Sequence, residues 1–164
     1  MSATSAGNSS IHIVEIYADG CCLGNPGPGG YGAVLLHQGR RKELKGGFRH
    51  TTNNRMEILA AIKALEALKP GTQVRLYSDS QYVVKAIMEG WAENWKSRGW
   101  RTAGKKPTMN PDLWAKLLRV LIDYKVEFIW VKGHSGVKEN ERADELAKEA
   151  AQGEGLEKDE GYEG

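Results

Sequence analysis

Apolar positions recur with two different periods along this chain, and the switches between them mark its elements. Residues 11–20 carry β-branched and other apolar side chains on both parities, the pattern of a strand covered on both faces at the centre of a sheet. Residues 32–36 read as a second strand, Gln38-Gly39-Arg40 as a hairpin turn and residues 41–50 as a third strand, with a bulge at Gly46-Gly47. Thr51-Thr52-Asn53-Asn54 offers N-cap residues to a helix over 55–69, stopped by Pro70-Gly71. A fourth strand over 72–78 runs at once into a helix over 80–89. A tryptophan-rich segment, 91–100, and a basic loop, 101–107, come next. Leu113, Trp114, Leu117, Leu118 and Leu121 recur at helical spacing within 111–124. A fifth strand, 126–131, and a last helix, 139–151, complete the pattern of an α/β fold.

Two aspartates end strands in this pattern. Asp19 closes the first and opens into the glycine-rich run Gly20-Cys21-Cys22-Leu23-Gly24-Asn25-Pro26-Gly27-Pro28-Gly29-Gly30. Asp79 closes the fourth. Parallel strands joined by a long crossover would bring both carboxylates to one sheet edge, where open α/β sheets place their chemistry. Glu57 adds a third. On the helix over 55–69, Lys63, Glu66 and Lys69 form one polar stripe, and Glu57 lies opposite them with Ala60, Ala61, Ala64, Leu65 and Leu68. A carboxylate on a core-facing arc is normally paired, protonated or bound to metal. Asp144 borders the apolar face of the last helix. Clustered like charges need a cation, and an oxygen-only donor set points to Mg2+ or Mn2+ rather than Zn2+. Such a cluster holding two ions about 4 Å apart is the apparatus of in-line phosphoryl transfer. His134, in the short loop Lys132-Gly133-His134-Ser135-Gly136, is the histidine placed to move protons.

Charge and cysteine content narrow the partners. The chain has 164 residues and a net charge of +2, but the segment 152–164 carries a net −4 and reads as a flexible acidic tail. Residues 91–106 carry a net +4, a basic protrusion suited to an anionic partner. Its aromatics interleaved with Lys and Arg suit a groove that tracks a phosphate backbone. Residues 1–10 read as a disordered leader without the features of a signal peptide, and no apolar run reaches membrane-spanning length. Adjacent Cys21 and Cys22, which cannot close an ordinary disulfide loop, point to a reducing compartment, the cytoplasm. No exposed apolar stripe argues for a dimer, so a monomer without an obligatory protein partner is expected.

Seven runs then carry a family resemblance: Tyr17-Ala18-Asp19-Gly20, Asn25-Pro26-Gly27-Pro28-Gly29-Gly30, Thr52-Asn53-Asn54-Arg55-Met56-Glu57, Ser78-Asp79-Ser80-Gln81-Tyr82, Asn94-Trp95-Lys96, Trp130-Val131-Lys132-Gly133-His134 and Asn140-Glu141-Arg142-Ala143-Asp144. In order and spacing, over residues 11–151, they resemble type 1 ribonuclease H in its bacterial form, which also bears a basic, Trp-containing protrusion. Gly90 looks like one extra residue before that protrusion, and Ser97 interrupts its basic run.

The resemblance implies a five-stranded mixed sheet flanked by helices, with the first, fourth and fifth strands parallel. It implies an endonuclease that hydrolyses the RNA strand of RNA–DNA hybrids, leaving 5′-phosphate and 3′-hydroxyl ends. Asp19, Glu57, Asp79 and Asp144 would hold two Mg2+ ions during catalysis, with Mn2+ a substitute, and His134 would assist proton transfer or product departure. Backbone near Gly20 and Cys22, and the side chains of Asn53 and Gln81, would line the minor groove and sense the 2′-hydroxyl. Asn25, Thr52 and Asn54 would contact the DNA strand, and Trp95, Lys96 and Arg98, with Trp91 beside them, would grip its backbone. Such contacts do not read bases, so cleavage would be largely sequence-independent and salt-sensitive. The alternatives are another nuclease or strand transferase on the same sheet, or a catalytically inactive hybrid-binding module. The Thr52-Asn53-Asn54 and Asp79-Ser80-Gln81 runs argue against the first, and the complete carboxylate set against the second.

Overall fold

The computed structural model describes residues 13–133 and 136–162. Its elements run β1 (Ile13–Cys22), β2 (Gly27–His37), β3 (Arg40–Thr51), α1 (Asn53–Glu66), β4 (Gln73–Ser78), α2 (Gln81–Met88), α3 (Trp91–Ser97), α4 (Pro111–Leu121), β5 (Lys125–Trp130) and α5 (Lys138–Ala151). The strands form one sheet in the order β3-β2-β1-β4-β5. β1 pairs antiparallel with β2 and parallel with β4, and β4 pairs parallel with β5. The sheet is thus mixed, with β1 at its centre, as the two-sided apolar pattern predicts.

Each face of β1 meets a different set of helices. Val14, Ile16 and Ala18 join the main core with residues of α1, α2 and α4, including Ile58, Ile62, Val83, Trp114 and Leu117. On the other face, Tyr17 packs beside Val34, Ala143 and Leu146, where α5 covers β1 and β2.

The glycine-rich run differs from its expected form. It is mostly strand, not loop: β1 continues to Cys22, β2 starts at Gly27, and Cys21 pairs with Gly30 and Cys22 with Gly29. Only residues 23–26 turn, with a cis Asn25–Pro26 peptide. The reason is close packing. A Cβ at Gly30 would collide with the α5 backbone at Ala147 and Ala151, and one at Gly32 would meet Ala143 and Leu146. These glycines let a helix backbone lie directly on a strand, a use of glycine that reads as a turn signal in sequence.

The 91–107 region is anchored by aromatic packing. The Trp95 and Trp114 ring centroids lie 5.8 Å apart, Tyr82 and Trp114 5.3 Å, and Trp114 Nε1 donates to the Tyr82 hydroxyl at 3.2 Å. The extra residue Gly90 sits at φ 78°, the left-handed turn that ends α2 and starts α3. Residues 101–107 fold back on themselves, with Thr102 N–H donating to Lys106 O at 2.8 Å.

The acidic tail also departs from expectation. Its residues up to 162 are docked rather than loose. Arg49 N–H donates to Glu157 O at 2.8 Å, and Tyr162 lies against His50 with ring centroids 5.5 Å apart. The anchor is Arg55, on α1 and only 2% exposed. Its Nε donates to Asp159 Oδ2 at 2.7 Å and its Nη2 to Asp159 Oδ1 at 3.1 Å. Nη1 and Nη2 also donate to the two Asp112 oxygens at 2.9 and 2.7 Å, and Nη1 to Asn110 Oδ1 at 3.3 Å. All five N–H donors are thereby used, which is what a buried guanidinium requires. The tail's negative charge thus has a specific internal partner. Among the described residues, no helix is long and apolar enough to cross a membrane.

Candidate active site

The site forms where the parallel pairing of β1 with β4 stops. The last pair is Ala18 with Ser78, and Asp19 and Asp79 are the residues that follow them, Asp79 just past the end of β4. Asp19 remains in β1, opposite Gly32 of β2. Glu57 comes from the first turns of α1, which begins one residue after its N-cap, Thr52. The Thr52 hydroxyl oxygen accepts from Arg55 N–H at 3.3 Å. Gly20 permits the approach: a Cβ there would collide with the backbone of Met56 and Glu57. Its N–H then donates both to Glu57 Oε1 at 2.7 Å and to Asp19 Oδ1 at 2.9 Å.

Carboxylate oxygens of Asp19, Glu57 and Asp79 all lie within 4.8 Å of one another. Asp19 is 3% and Glu57 7% exposed. Burial, then the charges of Asp19 and Asp79, push the Glu57 carboxyl well above its ordinary value. Burial, then the charge of Asp79, push Asp19 up to about 8. Carboxylates this close repel one another, and a cation between them relieves the repulsion. That strain, the all-oxygen donor set and the near contact of the oxygens fit a divalent ion that prefers oxygen.

Asp144 stands at the edge of this group. Its charge contributes to raising Asp19, but it is outside the closest trio, and its Oδ2 is held by Lys148 Nζ at 2.9 Å, one turn along α5. In the sequence, Lys148 is marked by its i, i+4 spacing to Asp144. His134 lies outside the described residues.

The residues expected to contact substrate lie on the turn between β1 and β2, at the starts of α1 and α2, and on α3. Asn25 is on the turn between β1 and β2, and its Oδ1 accepts from Asn53 N–H at 2.9 Å, tying that turn to the start of α1. Thr52 and Asn53 are half-buried, and Asn54 and Gln81 exposed, at the N-terminal ends of α1 and α2. The Cys22 thiol points into the fold, donating to Thr51 O at 3.2 Å and Gly27 O at 3.4 Å. Trp91 and Trp95 are half-buried on α3, with Lys96 and Arg98 exposed beside them.

The raised carboxyls carry a pH prediction for the protein kept in EDTA. Asp19 has a folded pKa of about 8 against an unfolded value of about 3.9. An acid whose folded pKa is raised contributes stability below the unfolded value and loses it as pH rises through the folded one. Melting of the metal-free protein should therefore fall between pH 5 and pH 9 by more than that of Asp19→Asn. Excess Mg2+ should remove most of the difference. Equal slopes for the two proteins would contradict the raised pKa.

The family model for RNase H matches residues 12–152. A ribonuclease H of Syntrophus aciditrophicus is 57% identical over 160 residues, covering 98% of this chain and 92% of the relative. One of Escherichia coli O139:H28 is also 57% identical, over 150 residues, covering 92% and 96%. Among solved structures, LC9-RNase H1, described as a type 1 RNase H with the type 2 active-site motif, superposes with a TM-score of 0.74 at 34% identity. The match covers 85% of this chain and 72% of that one. LC11-RNase H1 in complex with RNA/DNA hybrid gives a TM-score of 0.65 at 28% identity, covering 84% and 96%. The chain belongs to the ribonuclease H family of endoribonucleases.

Proposed function

We propose that this protein hydrolyses the RNA strand of RNA–DNA hybrids at the Asp19, Glu57 and Asp79 cluster, with Asp144 completing a site for two Mg2+ ions. The observation that carries the reading is the buried trio of carboxylates within 4.8 Å, two of them pushed up in pKa. Held by Asp19, Glu57, Asp79 and Asp144, such ions would supply Lewis acidity, making a water a better nucleophile and offsetting charge on the leaving 3′ oxygen, and Mn2+ is a chemically similar substitute. The chain's own part is to hold the scissile phosphate in line and keep the site rigid. Gly20 N–H fixes two carboxylates at once, which favours pre-organisation over flexibility. Lys148 Nζ holds Asp144 Oδ2 at 2.9 Å. His134 moves a proton to or from the departing group.

Selection of RNA follows from contacts that need the 2′-hydroxyl as donor and acceptor. Backbone at Gly20 and Cys22, with Asn53 and Gln81, supplies such contacts on either side of the cluster. Asn25, on the turn between β1 and β2, and Thr52 and Asn54, at the start of α1, face the DNA strand. Trp91 and Trp95 give Lys96 and Arg98 a rigid base from which to grip its phosphates. The protein works as a monomer in the cytoplasm, where free Cys21 and Cys22 stay reduced.

Two tests bear on this reading. The RNA fragments should carry 5′-phosphate and 3′-hydroxyl ends and so be extended directly by a polymerase; a cyclic phosphate end would contradict water as the attacking group. Charge reversal at exposed Lys96 and Arg98 should raise KM for hybrid about tenfold or more and flatten its salt dependence, with kcat changed less. An unchanged KM would remove the protrusion from the substrate path.

A further inference from the structure

Trp130 closes β5 beside the carboxylate cluster, yet it is 44% exposed and takes no part in the aromatic packing of Tyr82, Trp91, Trp95 and Trp114. Its indole Nε1 donates to the backbone carbonyl oxygen of Asp79 at 3.1 Å. That oxygen is otherwise poorly fixed. The ladder from β4 to β1 ends at Ser78 with Ala18, and the ladder from β4 to β5 ends at Ser78 with Trp130. Helix α2 begins only at Gln81, after its N-cap Ser80. Asp79 therefore sits between a strand that has ended and a helix that has not begun. Among the described residues none donates a hydrogen bond to its carboxylate, whereas Asp19 and Glu57 share Gly20 N–H.

The end of β5 supplies a second constraint. Gly133 lies so near Asp79 that a Cβ built on it would stand 2.8 Å from Asp79 Oδ2. One strand end thus holds the main-chain oxygen of Asp79 through an indole and limits its carboxylate through a bare glycine. We infer that Trp130 is a positioning residue: its indole N–H fixes the Asp79 peptide and so aims the Asp79 carboxylate at the metal. The inference rests on the reading that Asp79 holds Mg2+. Partners of this kind orient metal ligands, and their loss typically costs about 10–100-fold in affinity or activity. The half-exposed ring contributes little to the core, so Trp130→Phe removes the donor and leaves the fold.

The test is a Mg2+ titration of the full chain without substrate, followed through backbone amide NMR shifts at Asp79 and Gly133. Wild type, Trp130→Phe, Gly133→Ala and Asp79→Asn are compared. Trp130→Phe should bind Mg2+ about tenfold more weakly than wild type. Gly133→Ala, whose Cβ would crowd the same carboxylate, should do so as well. In turnover, kcat of Trp130→Phe at limiting Mg2+ should fall and recover with excess Mg2+, while KM for hybrid stays unchanged. Wild-type Mg2+ affinity in both variants would overturn the inference. So would a raised KM with unaltered Mg2+ affinity, which would make Trp130 a substrate contact. Mg2+ binding that survives Asp79→Asn undiminished would instead remove Asp79 from the metal site and overturn both readings.

Discussion

Glu57→Gln removes cleavage and keeps the fold. The expected loss is at least about 1,000-fold in kcat, equal to roughly 4 kcal/mol of transition-state stabilisation. Glutamine preserves the shape of the side chain and the oxygen that accepts from Gly20 N–H, so the start of α1 stays where it is. What it lacks is the second anionic oxygen facing Asp19 and Asp79. The same substitution relieves repulsion in a buried cluster, so the variant should melt no lower than wild type in EDTA and gain less from Mg2+. Loss of activity together with loss of fold would mean that Glu57 acts as a structural cap. Near-normal turnover would take it out of the site altogether.

Asp159→Ala has the largest expected effect on stability. It leaves Arg55, 2% exposed, with Asp112, Asn110 and the Tyr162 ring as partners among the described residues. Asp112 still pairs the guanidinium, so the loss is that of the charge-assisted hydrogen bonds from Arg55 and the bond from Thr51, together about 3 kcal/mol. For a chain of this size that is a fall in Tm of roughly 6–12 °C. Burial alone would raise the Asp159 carboxyl, but hydrogen bonds from Arg55 and Thr51 outweigh it and hold the group below its ordinary value. A depressed carboxyl contributes stability above its unfolded pKa and loses it as pH falls toward its folded one. The gap between wild type and variant should therefore be full at pH 7 and close in acid below about pH 4. A variant that melts with wild type at pH 7 would mean that the tail is not held by this pair in solution.

These two residues show what the sequence made legible. Glu57 stands out because helical spacing sets a charge on an apolar arc, and a buried charge needs a partner that the chain must supply. Asp19 and Asp79 stand out because strand patterns end on them. The relative directions of the strands follow from the length of the connections: a short turn gives antiparallel neighbours, a helical crossover allows parallel ones. Asp159 carries no such mark. It sits in a glycine- and glutamate-rich segment whose composition reads as solvated, and its partner is 104 residues away. No local periodicity reports a contact of that range. Gly20, Gly30 and Gly32 were hidden differently: glycine marks turns, and only the packed structure shows that here it makes room for α1 and α5. Trp130 reads as one more apolar strand residue until its indole is seen on Asp79.

The most direct test of the central claim uses one labelled sequence prepared as RNA–DNA hybrid, double-stranded RNA, double-stranded DNA and single-stranded RNA, incubated with Mg2+ or with EDTA. Internal cuts confined to the RNA of the hybrid, and lost in EDTA, are the predicted result. Cutting of DNA, or binding of the hybrid with Mg2+ present and no cutting, would contradict it.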